Sequence, residues 1–205
     1  MRKRLTFGLL VVALAAAAAT TLALVFTNGG RADTNGPVTP ESTYSVAQAQ
    51  SFTEYPLYFA GSSFGDLPLT AVERDNSNPD GNQVDDVTFM YGTCTPTSEE
   101  GCAVPFQIQI WPACLRNPTS YPSSGPMALQ STQTTVRGVP ANFYEDGARL
   151  EVQTGTATVV IFATESSQAL AVANALRGVN NAVTTTDPLP QPAAGAMDGT
   201  LTCSS

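Results

Sequence analysis

The apolar positions of this chain follow three rhythms, and each predicts a different kind of element. From Leu5 to Phe26 the sequence runs for 22 residues without a charge. As a helix, that length rises about 33 Å, enough to cross a hydrocarbon layer of about 30 Å. Further on, the rhythm becomes alternation. Val87, Phe89 and Tyr91 alternate with Thr88 and Met90, and Phe106, Ile108 and Ile110 alternate with Gln107 and Gln109. Both segments read as half-buried strands, expected to pair antiparallel. Leu67 to Arg74 reads as another strand, with Leu67, Leu69 and Ala71 on one side. Thr156 to Ala163 is more continuously apolar and is expected in the sheet interior. The third rhythm is helical. Ala169, Val172, Ala173 and Leu176 recur at i, i+3, i+4 and i+7, with Thr164 or Ser166 as cap and Gly178 as terminator.

Turn chemistry supplies the punctuation. Asp146-Gly147 between Ala141–Tyr144 and Leu150–Gln153 is a hairpin signal, and Gly155 marks a second turn. Residues 112–133 are proline-rich and read as a variable surface stretch. The sum predicts an α+β domain: an antiparallel sheet of about five to seven strands with one main helix on a face. Its organisation is a basic cytoplasmic tail over 1–4, a transmembrane or signal helix over 5–26 and a flexible linker over 27–51. The folded domain follows over 52–180, then a Pro-rich tail over 181–205 held by Cys203.

Met1-Arg2-Lys3-Arg4 precedes the apolar run, and basic residues stay on the cytoplasmic side. The rest is then delivered outside the cytoplasm. Two fates compete. The alanine run Ala15–Ala19 offers a peptidase small residues, as a cleaved signal requires. Leu22, Leu24, Val25 and Phe26 prolong the apolar stretch beyond it, which favours a retained single-pass anchor.

Charge narrows the partners. Beyond Phe26 there are six arginines, no lysine and 17 carboxylates, a net of −11. Such a field repels phosphate backbones, so nucleic acid is not an expected partner. The four cysteines, at 94, 102, 114 and 203, all follow the apolar run, and an even number in an exported chain points to disulfides. Three pairings are possible. The favoured one closes the short loop between Cys94 and Cys102 and ties Cys203 to Cys114. No CxxC or paired zinc spacing occurs.

Several chemistries lack their residues. With no histidine, the chain has no imidazole base, triad or imidazole ligand. Its one lysine, Lys3, lies before the anchor. Gly61-Ser62-Ser63-Phe64-Gly65 fits a nucleophile-elbow pattern without the histidine that pattern needs, and reads as a turn. Carboxylates remain, in the neighbouring pairs Asp85-Asp86, Glu99-Glu100 and Glu145-Asp146. A carboxylate-dependent hydrolase needs two of them facing across a cleft, which neighbours in turns do not suggest.

The segment Asp75–Asp86 is dense in oxygen side chains. With Asn76 as first ligand, Asn78, Asp80 and Gly81 take positions 3, 5 and 6 of a calcium loop, and Asp85 adds a carboxylate. Val87 stands where a closing glutamate would be, so the alternative is a solvated hairpin loop. Tyr55, Tyr58, Phe59, Phe64, Trp111 and Tyr121 either fill the core or line a concave face for an apolar ligand.

Pro56–Gly61, Leu67–Thr70, Phe89–Cys94, Gly101-Cys102, Gln107–Cys114 and Arg116-Asn117-Pro118 together resemble a group of membrane-anchored or secreted actinobacterial proteins without an established activity. The resemblance spans about residues 55–180. It implies disulfides at the first three cysteine positions and transfers no catalytic or binding residue. The expectation is therefore a non-enzymatic binding or interaction module outside the cytoplasm. A carrier of an apolar ligand is the alternative.

Overall fold

Alternation decides the architecture, because most of the chain becomes antiparallel strands. The computed structural model describes residues 44–78, 83–93, 103–122, 128–180 and 187–203. Ten strands occur among them: β1 Tyr58–Phe59, β2 Ser63–Phe64, β3 Leu67–Ser77, β4 Val84–Tyr91, β5 Phe106–Pro112, β6 Ser131–Val136, β7 Val139–Tyr144, β8 Arg149–Thr154, β9 Ala157–Ala163 and β10 Arg177–Gly178. Eight form one sheet in the order β2-β3-β4-β5-β9-β8-β7-β6, and β1 pairs with β10. The fold is α+β as expected, with a larger sheet.

The central pairings follow the sequence pattern. Val87, Phe89 and Tyr91 stand opposite Ile110, Ile108 and Phe106, antiparallel. β9 is interior and pairs with β5 and β8. The helix α2, Ser166–Asn174, lays Ala169, Val172 and Ala173 on the face formed by Val152, Val159, Ile161 and their neighbours. Leu176, just past its end, joins the same core. Of these buried side chains, Val172 and Leu176 contribute about 1.5–3 kcal/mol each.

Three expectations need correction. The domain begins earlier than residue 52, because Val46–Ser51 forms helix α1 and buries Ala49. A capping box starts it: the Ser45 hydroxyl accepts from the Gln48 N–H at 3.2 Å, and the Gln48 carbonyl oxygen accepts from the Ser45 N–H at 2.8 Å. β3 carries a register shift between Leu69 and Ala71. The extra residue changes which side faces inward, so Val72 rather than Ala71 is buried. Gly178 does not end α2, which stops at Asn174; Arg177-Gly178 pairs with β1 instead.

A further strand lies in and just beyond the stretch read as variable surface. Residues 131–136 form β6, and Arg137-Gly138 turns the chain tightly into β7. Both turn residues have positive φ, 47° and 87°, as a type I′ hairpin requires. The tail is also ordered over 187–203. The Gly155 N–H donates to the Pro190 carbonyl, the Leu189 N–H to the Arg137 carbonyl, and Leu189 and Ala196 are buried. Cys114 and Cys203 are joined by a disulfide across 89 positions, as expected. Cys94 and Cys102 lie outside the described residues, as does the 5–26 segment. Among the described residues, no helix is long and apolar enough to cross a membrane.

Candidate functional site

One face of the sheet packs on α2, and the other is polar. The polar face is where the chain concentrates its buried charge. Along β8, Arg149, Glu151 and Gln153 point away from the α2 side, with Thr158 of β9 beside them. Alternation of this kind reads as a solvent-facing side, yet all six residues of β8 are buried. The cover is the segment after β5. The Ala113 N–H donates to the Thr156 carbonyl, and the Thr158 hydroxyl donates to the Arg116 carbonyl. Asn117 fixes the next turn by capping Pro118–Ser120 through the Thr119 N–H. The disulfide then pins the start of this cover to the tail.

Beneath the cover, the Glu151 carboxylate is fully buried. Its Oε1 accepts from Arg116 Nη2 at 2.6 Å and Nε at 3.2 Å, and from the Tyr121 hydroxyl at 2.7 Å. Arg149 Nε stands 3.5 Å away, and Arg149 Nη1 reaches Glu145 at 3.0 Å. The guanidinium planes lie among aromatic rings. Arg116 sits 5.2 Å from the Trp111 ring, and Arg149 sits 4.8 Å from the Tyr144 ring. Burial, then the neighbouring Glu151 charge, pushes the Tyr121 hydroxyl above its ordinary range. Glu151 Oε2, Arg149 Nη2 and Gln153 Nε2 find no hydrogen-bond partner among the described residues. The arrangement clamps the cover onto the sheet.

A second polar group lies at the end of the sheet. A hollow of about 210 Å³ is lined by Glu54, Tyr55, Asp85, Thr156 and the Cys114–Cys203 bridge. The Tyr55 hydroxyl donates to Asp85 at 3.3 Å, and Arg74 reaches Asp85 at 3.4 Å and Glu54 at 2.8 Å. Burial raises the Asp85 carboxyl, with Arg74 pulling the other way. It raises the Tyr55 hydroxyl as well, reinforced by Asp85. Glu54 and Asp85 both line the hollow and share one arginine.

Of the four expected calcium residues, two stand opposite each other on paired strands. Asn76 lies inside the β3–β4 ladder, directly opposite Asp85, because β3 continues to Ser77. Asn78 follows the end of β3, exposed, and Asp80 lies outside the described residues. Among the described residues, no three acidic, cysteine or histidine side chains gather in a metal-holding group. Asp85 and its neighbour Asp86 point to opposite faces of β4. Burial first, then nearby Asp75 and Asp85, pushes Asp86 up to about 6, while a 2.8 Å hydrogen bond from Thr88 opposes the rise. Glu145 is engaged by Arg149, Asp146 sits in the turn with φ 54°, and Glu99-Glu100 lie outside the described residues.

The aromatics separate. Tyr55 and Tyr58 are in the core, Phe59 and Phe64 pack against it, and Trp111 and Tyr121 surround Arg116. Tyr91, buried, bridges the Ala60 N–H and the Gly61 carbonyl at 2.9 Å each, and burial pushes its hydroxyl up to about 12. Sequence reasoning missed the Glu151 cluster. Its one signal was a polar side chain at alternate positions of β8, Arg149, Glu151 and Gln153. Compared with family models, curated proteins and solved structures, the chain matches none of them.

Proposed function

We propose that this chain is a membrane-tethered interaction module outside the cytoplasm, without catalytic activity, whose partner docks on its surface. The basic tetrapeptide and the apolar run 5–26 support the tether, and the Cys114–Cys203 bridge supports an oxidising compartment. The observation that carries the reading is the filled interior. Leu57, Tyr58, Phe89, Phe106, Ile108, Ile110, Leu150 and Ile161 are fully buried against one another between sheet and helix. The 210 Å³ hollow is smaller than the roughly 300–1,000 Å³ that small-molecule sites occupy. Three other hollows, of about 450, 510 and 480 Å³, fall within that range but lie more open to solvent. Of the three buried carboxylates among the described residues, Glu151 and Asp85 are engaged by arginine and Asp86 by the Thr88 hydroxyl, which weakens the case for a hydrolase.

Native mass spectrometry of the full chain in detergent micelles tests this. The reading expects a bound polypeptide, a second copy included, and no small molecule of fixed mass. Stoichiometric retention of an apolar molecule would instead establish a carrier.

A further inference from the structure

β6 ends the eight-stranded sheet, and its outer edge is exposed along Ser131–Gln133 and again at Thr135. The hairpin geometry says which groups face outward. In a two-residue type I′ hairpin the residues flanking the turn exchange both backbone hydrogen bonds, so Val136 bonds Val139. By alternation, Thr134 bonds Ala141 and Thr132 bonds Phe143. The N–H and C=O groups of Ser131, Gln133 and Thr135 therefore point away from β7, and no described residue bonds them.

Natural edge strands are protected by lysine, proline, bulges or short length. β6 has none of these: it is six residues long, its register with β7 is unbroken, and it reads Ser-Thr-Gln-Thr-Thr-Val. From Ala128 through Val136 there is no charge, in a chain whose net charge is −8. An acidic surface keeps copies of itself apart, except where the approach is neutral. Met197, the exposed large hydrophobic side chain among the described residues, lines the same groove as Gln133 and Thr135.

We infer that β6 docks a second copy of this chain, edge to edge and antiparallel, about a two-fold axis through Gln133. The inference rests on the reading of the chain as an interaction module and names its partner. Outward residues must face outward residues, and pairing all three of them fixes the register: Gln133 opposite Gln133 of the other copy, and Ser131 opposite Thr135 in both directions. Every facing pair is uncharged. Hydroxyl and amide side chains meet at direct cross-strand positions, where such pairs stabilise a sheet. The two-fold puts both Met197 side chains on the same side of the joined sheet, flanking the axis. The contact is small for a permanent dimer, so its occupancy depends on local concentration, which a shared membrane raises.

Cysteine crosslinking of the full chain in detergent micelles tests the register. Facing residues of a hydrogen-bonded antiparallel pair have Cα atoms about 5.5 Å apart, within the roughly 4.4–6.8 Å a disulfide spans. Under mild oxidation Gln133→Cys should convert to covalent dimer. Thr135→Cys should not, since its own copies lie four residues out of register. In sedimentation, Gln133→Asp sets two carboxylates across the axis and should weaken self-association at least tenfold. Equal crosslinking at both positions, or unchanged association of Gln133→Asp, overturns the inference. A monomer bound to a different polypeptide overturns it and leaves the module reading standing; a monomer holding a small molecule overturns both.

Discussion

Arg116 and Glu151 meet at 2.6 Å on the covered face of the sheet, 35 positions apart in the chain. Glu151 is the only carboxylate that touches Arg116, Tyr121 and Arg149 together among the described residues. Removing one member of a buried ion pair leaves a charge without compensation, at about 3–5 kcal/mol. Glu151→Ala should therefore destabilise by that amount in urea unfolding. Arg116→Ala also frees the Trp111 and Tyr121 rings. Because the two residues are in contact, the double variant should lose less than the two singles together, by about 1–3 kcal/mol.

Asp86 gives an unusual pH dependence. Its folded-state value of about 6 exceeds the ordinary 3.8 of the unfolded chain. Between those values the folded state binds more protons than the unfolded one, so stability falls as pH rises. Asp85, also raised by burial, acts in the same direction. Asp86→Asn should remove most of the slope and stabilise the protein at pH 7 by about 1–2 kcal/mol. Denaturant midpoints at pH 4, 5, 6 and 7 for both proteins check this.

Much of the sheet was legible because its central strands follow simple rules. The alternation in 87–91 and 106–110 predicted both strands and their pairing, and the spacing of Ala169, Val172, Ala173 and Leu176 predicted the helix face. What escaped notice depends on cover and local geometry. β6 has almost no apolar side, since an edge strand need not bury one, and its turn is Arg-Gly where asparagine or aspartate would give the signal. The single residue that shifts β3 leaves no mark in composition. Nor could alternation along Leu150–Gln153 reveal that residues 113–121 fold over its polar side, which turns an apparent surface charge into the buried Glu151. The capping box at Ser45 and Gln48 was readable, though it starts only six residues of helix.

Asn180 ties two distant segments. Its Oδ1 accepts from the Leu57 N–H at 3.1 Å, and its Nδ2 donates to the Phe52 and Tyr55 carbonyls at 3.0 and 2.8 Å. The residue is buried, so truncation strands three backbone groups away from water. Asn180→Ala should cost about 2–4 kcal/mol. Hydrogen exchange should show the Leu57 amide losing protection in particular.

The Cys114–Cys203 bridge closes a loop of 89 positions and holds the tail against the Gly155 and Arg137-Gly138 turns. Cys203→Ser should lower stability by about 2–5 kcal/mol. Reductant should lower the Tm of the natural chain by more than it lowers that of the variant, which keeps only the expected short bridge between Cys94 and Cys102.

The compartment is tested most directly by thiol counting on the full chain taken from cells without reduction. A polymer-linked maleimide adds a visible mass step for each free thiol. The account predicts a membrane-bound chain with no step until a reductant is added, and then four. A chain in the cytosolic fraction that takes up four steps without reductant would contradict it.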